Sequence, residues 1–138
     1  MKKMTWIATL CLVSLGGALA QNADDDLVKK TLSYYLDGGT NNDFNTLKKA
    51  FHKEARMKYI RQGEYHDVNA IEFFEKAIKP GSKQNRKTSI QSVSIAGNAA
   101  SAILKIEYET FYFTDYMNLL KIEGEWKVVN KIFYRDKK

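Results

Sequence analysis

The stretch Phe111–Arg135, FYFTDYMNLLKIEGEWKVVNKIFYR, decides the fold. Two runs rich in aromatic and β-branched residues flank Glu123-Gly124, which predicts two antiparallel strands joined by a two-residue turn. With that turn Ile122 opposes Glu125, Leu119 faces Val128, Met117 faces Asn130 and Asp115 faces Ile132. One face then carries Asp115, Met117, Leu119, Trp126, Val128, Asn130 and Ile132, and it is apolar except for Asp115 and Asn130. The other carries Thr114, Tyr116, Asn118, Leu120, Lys127, Val129, Lys131 and Phe133. Because side chains alternate with period two, a slip of one residue would exchange the two sets.

Working outward, the chain from about Arg86 reads as strand. Thr88–Ala96 is β-branched and alternating, and Gly97-Asn98 is a tight-turn pair. Ala100, Ala102, Leu104, Ile106 and Tyr108 then form an apolar face against Ser101, Lys105, Glu107 and Glu109. The first half is different. Asp24-Asp25-Asp26 is a candidate N-cap for a helix whose Val28, Leu32, Tyr35 and Leu36 share one face, with Gly38-Gly39 as its stop. Asn42 or Asp43 caps a second short helix carrying Phe44, Leu47 and Phe51, closed by His52. Ala55–Arg61 alternates as a strand, and a turn follows near Gln62-Gly63. Asn69 stands three residues before Glu72, the capping-box spacing, and opens a third helix with Ile71, Phe74 and Ile78 that Pro80-Gly81 ends. Helices first and an antiparallel sheet afterwards define an α+β domain in which one face of a curved sheet packs on helices.

The first twenty residues stand apart. Lys2-Lys3, an uncharged run from Met4 to Leu15 and the Ala18-Leu19-Ala20 site predict a secretory signal peptide over 1–20 and a single domain over 21–138. The apolar run is shorter than the roughly 20 residues that span a bilayer, so a lasting membrane anchor is not expected. Cleavage would remove Cys11, the one cysteine, and a mature domain held by its core without disulfides would enter the periplasm or the medium. Loss of Lys2 and Lys3 lowers the net charge from +6 to +4. The remaining basic residues are interleaved with acidic ones, as in Lys48, Lys49, Lys53, Glu54, Arg56 and Lys58, and lack the clustered stripe of a nucleic-acid surface. With His52 and His66 the only histidines, no metal or cofactor site is predicted.

Tyr35-Leu36-Asp37-Gly38 with Asn42-Asp43, Ala50-Phe51-His52, and Phe113-Thr114-Asp115-Tyr116 followed by Leu119-Leu120-Lys121, Gly124, Trp126, Val129-Asn130-Lys131 and Phe133 resemble the putative lumazine-binding family. That family belongs to the nuclear transport factor 2-like superfamily. His52 is followed by Lys53-Glu54 where relatives tend to carry Pro-Asp. The resemblance implies a cone in which a strongly curved antiparallel sheet wraps around N-terminal helices, leaves a cavity at its open end and pairs with a second copy through the sheet.

On that frame Met57, Tyr59, Tyr108, Asp115, Met117, Trp126 and Asn130 are the candidate pocket residues. Tyr116, Asn118, Leu120, Val129, Lys131 and Phe133 are the candidate homodimer face. A carboxylate on an apolar face is costly unless it is hydrogen-bonded or used, and Asn130, diagonal to Asp115, is either its structural partner or orients a ligand with it. Two functions compete. The first is an exported module that binds a small molecule or a partner peptide. The second is a small acid-base enzyme, an isomerase or dehydratase, using Asp115 with His52 or a tyrosine, since an apolar setting raises a carboxyl pKa toward neutrality. The superfamily hosts both, so the fold alone does not choose.

Overall fold

The computed structural model describes residues 14–138; most of the predicted leader lies outside the described residues. Helix α1 spans Ser14–Thr40, α2 spans Phe44–Leu47, a single 3-10 turn covers Lys48–Ala50, and α3 spans Ala70–Ala77. Six strands follow in chain order around them: β1 Phe51–Arg61, β2 Glu64–Asn69, β3 Lys87–Ala96, β4 Ala99–Glu107, β5 Phe111–Ile122 and β6 Glu125–Lys137. They form one sheet in the order β2-β1-β6-β5-β4-β3. All neighbouring pairs are antiparallel except β1 with β6, which is parallel. The chain enters β1 from the helices and returns to its side only after the β3–β6 meander, a long connection of the kind a parallel pair requires.

The core lies between α1 and the concave face of the sheet. Val28, Leu32, Tyr35 and Leu36 of α1 are buried, and so are Ala102, Leu104 and Ile106 of β4, Met117 and Leu119 of β5, and Trp126 and Val128 of β6. These are the two predicted periodicities, 3.6 and 2, meeting face to face. The caps of α2 and α3 behave as the sequence reads. The Asp43 carboxylate accepts from Thr46 N at 3.1 Å and the Asn69 amide oxygen accepts from Glu72 N at 3.1 Å. The turns at Gln62-Gly63 and Glu123-Gly124 put both central residues at positive φ, the geometry of the primed hairpin turns.

The structure differs from the sequence reading at several points. β2, to which the sequence pattern assigns no element, pairs with β1 from Arg56↔Asn69 to Arg61↔Glu64. His52 does not close a helix; it is the second residue of β1, because the 3-10 turn already ends at Ala50. The three aspartates do not cap α1, whose backbone runs through them. Asp24 instead joins α1 to the β5–β6 hairpin, accepting from Lys121 Nζ at 2.8 Å and Trp126 Nε1 at 3.0 Å.

Those hydrogen bonds, from Lys121 first and Trp126 next, hold the Asp24 carboxyl below the usual aspartate range. A depressed folded-state pKa stabilises above the unfolded value and stops stabilising as pH falls through the folded one. Asp24→Asn is therefore expected to make the thermal melt less sensitive to acidification below about pH 4. Parallel wild-type and variant melting curves across that interval would show that the clamp carries no linkage.

A further difference is the hairpin register, and it rearranges the candidate site. From Ile122↔Glu125 to Leu119↔Val128 the pairing is as predicted. Val129 is then an extra residue on β6, a β-bulge, and beyond it the register becomes Asn118↔Asn130, Met117↔Lys131 and Asp115↔Phe133. A bulge of one residue moves every later β6 side chain to the opposite face. Lys131 and Phe133 therefore point into the cone with Asp115, while Ile132 is exposed.

Candidate functional site

Asp115 sits fully buried on the concave face, and both its carboxylate oxygens are bonded. Lys131 Nζ donates to Oδ1 at 2.7 Å and the Tyr35 hydroxyl donates to Oδ2 at 2.7 Å. The three groups come from β5, β6 and α1. Tyr35 is there because it belongs to the buried stripe of α1; Lys131 is there because of the bulge. Its side chain is also nearly fully buried, and its ammonium lies 4.1 Å from the centroid of the Phe133 ring, whose face attracts a cation.

The electrostatics follow from burial. Removal from water disfavours the ammonium and lowers the Lys131 pKa, and the adjacent Asp115 charge works against that. Burial first, then the Asp115 charge and hydrogen bond, push the Tyr35 phenol well above its ordinary value, so it remains a donor. No described buried side-chain polar atom is left without a partner. The group is a satisfied, closed ion pair in an apolar shell.

An aromatic belt surrounds it. Tyr35, Phe51 and Phe74 pack at 5.5–5.7 Å between centroids. Tyr59 stacks on His66 at 4.8 Å and on Phe133 at 5.0 Å, and Phe133 meets Phe113 at 5.6 Å. Beyond Phe113, the Tyr108 hydroxyl accepts from Arg86 Nη1 and donates to Gln84 Oε1, both at 2.9 Å. Of the predicted pocket residues, Met57, Asp115, Met117 and Trp126 are thus buried core, and Tyr59 and Tyr108 are half-buried in aromatic and polar packing. Asn130 is not the partner of Asp115, since the bulge takes it off that face. His52 is also separate from this cluster, with its Nδ1 accepting from Glu54 N at 3.2 Å.

The predicted dimer residues divide in the same way. Tyr116, Asn118 and Leu120 are exposed and Val129 is half-buried, as expected for an outer face, but Lys131 is interior and Phe133 packs within the belt. The outer face gains others instead. Ile60, Tyr65, Ile132 and Tyr134 are exposed, and together with Tyr116 they line an apolar groove of about 370 Å³ crossing β2, β1, β6 and β5. A second cleft, of about 340 Å³, lies where α1 meets the 3-10 turn and the β5–β6 turn, with Trp126 in its lining. Among the described residues no cluster of histidine, cysteine and carboxylate side chains could hold a metal ion.

A six-stranded curved sheet closed on N-terminal helices is the α+β cone of the NTF2-like proteins, and comparison with known proteins agrees. A family model described as "Putative lumazine-binding" matches residues 23–134, and the chain belongs to that family. It is similar to an NTF2-like protein of unknown function from Shewanella baltica OS155, with a TM-score of 0.77 and 28% identity over 85% of this chain and 97% of that one. It also resembles the association domain of Caenorhabditis elegans CaMKII in fold, with a TM-score of 0.62 at 20% identity, covering 82% of this chain and 95% of that one. A curated relative, the aldolase FrzH of Cladobotryum sp., is 25% identical over 117 residues, covering 82% of this chain and 92% of that protein.

Proposed function

We propose that the mature chain, beginning at Gln21 after export, is a binding and interaction module that works through its outer surfaces and associates as a homodimer through the convex face of its sheet. The observation that carries this reading is the outer band. Ile60, Tyr65, Tyr116, Leu120, Ile132 and Tyr134 all expose 40% or more of their surface on one face of four adjacent strands. Contiguous apolar patches of that kind mark interaction sites in soluble proteins. A second copy is a natural occupant, because a two-fold contact lets one patch serve both subunits. Lys58 and Asp67, paired at 3.9 Å on β1 and β2, add both signs of charge to the same region. The same cone serves for association in the CaMKII neighbour.

The aldolase relative favours a second reading, in which the cone interior does chemistry. Its reacting groups would be Asp115, Lys131 and Tyr35. Against it stands their geometry: a general base needs an oxygen within reach of the proton it takes, and both Asp115 oxygens are already bonded away from solvent.

Sedimentation of the mature protein at micromolar concentration tests the first reading. A dimer is expected for the wild type and a folded monomer for Tyr116→Glu combined with Ile132→Glu, since two carboxylates cannot be desolvated unpaired in an apolar interface. A monomeric wild type, or a dimer indifferent to both substitutions, would overturn it.

A further inference from the structure

The cleft beside Trp126 is built differently from the rest of the surface. Leu27, Lys30, Thr31 and Tyr34 follow one another at i, i+3, i+4 and i+7 along α1 and present one face to it; Lys49 arrives from the 3-10 turn and Lys127 from β6. Three lysines therefore line a single concavity, and the exposed Glu125 is the one acidic residue in its lining. Two of the three side chains are held in place. Lys127 Nζ is fixed by donation to the Lys49 carbonyl at 2.9 Å and lies 3.4 Å from Glu125 Oε2. Lys49 Nζ is held over the Tyr34 ring at 5.8 Å from its centroid. The floor is rigid as well, because the buried Thr31 hydroxyl donates to the Trp126 carbonyl at 3.0 Å and ties α1 to β6.

From this we infer that the cleft is a binding site for a small organic anion, a phosphate ester or carboxylate carrying a flat apolar group, with Lys30, Lys49 and Lys127 receiving the anion and Leu27 and Tyr34 the apolar part. Like charges gathered in one concavity raise the local concentration of anions. Side chains already immobilised lose little further freedom on binding, which favours affinity. The half-buried Tyr34 ring and Leu27 give the cleft an apolar wall, and that selects for more than inorganic phosphate. None of these residues belongs to the proposed dimer face, so the site stands independently of that interface.

Calorimetric titration of the mature protein with inorganic phosphate, phenyl phosphate and benzoate at low salt tests the inference. Saturable binding is expected, with phenyl phosphate tighter than inorganic phosphate by about tenfold, or about 1.4 kcal/mol. Comparing phenyl phosphate with benzoate shows which anion the lysines prefer; tight binding of either supports the site. Lys30→Glu with Lys49→Glu should weaken every binder by about tenfold or more, while Leu27→Ala, which touches none of the lysine contacts, should narrow the gap between phenyl phosphate and inorganic phosphate and leave inorganic phosphate unchanged. The substituted positions are surface ones, and a melting curve for each variant establishes that it is folded. Tyr116→Glu with Ile132→Glu should bind as the wild type does, separating failure of this site from failure of the dimer. No saturable binding of any of the three compounds, or affinities untouched by the double charge reversal, would overturn it.

Discussion

Asp115→Asn is expected to destabilise the fold by about 3–5 kcal/mol, the cost of leaving one member of a buried ion pair without its counter-charge. For a domain of this length that corresponds to a melting temperature lower by roughly 10–20 °C. Shape is nearly conserved in the substitution, so cavity formation does not confuse the result. What changes is that Lys131, almost without solvent, loses its counter-charge and keeps beside its ammonium no more than a neutral amide oxygen and the Tyr35 and Phe133 rings. Burial already lowers its pKa, and without Asp115 the opposing influence is gone.

Lys131 can then escape part of the penalty by losing its proton, and this sets a sign. With its folded pKa below the unfolded one, the unfolded chain binds more protons between the two values, so stability of the Asn variant must rise with pH there. Urea denaturation across neutral to alkaline pH measures both effects. Asp115→Leu with Lys131→Met and Tyr35→Phe should recover most of the loss, since a well-packed apolar set avoids both desolvation penalties and leaves no buried phenol without an acceptor. A loss under about 1 kcal/mol for Asp115→Asn would mean that the pair is not closed from water as the geometry has it.

This ion pair also marks the boundary of what the sequence discloses. That Asp115 is buried on an apolar face is legible, because alternation in β5 puts it with Met117 and Leu119. Its partner is not. The hairpin turn sets the register for four pairs correctly, but the bulge at Val129 is marked by no glycine, and it alone carries Lys131 inward. Tyr35 was nearer to hand: it lies on the apolar stripe of α1, and a phenol buried there needs an acceptor. The outer band was legible in part, through Tyr116 and Leu120. Its β6 members changed with the register; Ile60 lies on a strand that the alternation does show, whereas Tyr65 required β2 to be recognised as a strand. The lysine cleft was illegible for a simpler reason. Lys30, Lys49 and Lys127 are far apart in the chain, and only the docking of α1 on the hairpin brings them together.

Gly38→Ala is the other substitution with a large expected effect, and the reason is packing and not conformational freedom. Gly38 lies inside α1, where alanine is the better helix former by about 1 kcal/mol. The helix nonetheless continues to Thr40, so the glycine pair is not acting as the stop that the sequence suggests. A Cβ at Gly38 would lie 2.7 Å from Leu47 Cα and 2.8 Å from the Asp43 carbonyl oxygen, backbone atoms of the short α2 segment and of its N-cap. Neither can yield alone: Asp43 N donates to the Gly38 carbonyl at 2.8 Å, and the Leu47 side chain is anchored in the core. Inserting a methyl group against fixed backbone costs more than the usual overpacking range of about 1–3 kcal/mol for yielding side chains, so the helix gain is outweighed and a net loss of about 2 kcal/mol or more is expected. Gly39→Ala supplies the comparison, because its Cβ would meet the Arg86 guanidinium, the far end of a flexible side chain. Moving that group gives up its hydrogen bonds to the Leu36 carbonyl and the Thr40 hydroxyl, at a cost of about 1–2 kcal/mol set against the same helix gain. Chemical denaturation of the two variants side by side should therefore rank Gly38→Ala as clearly the more damaging; the reverse order, or a stabilised Gly38→Ala, would show that α2 is free to move away from α1.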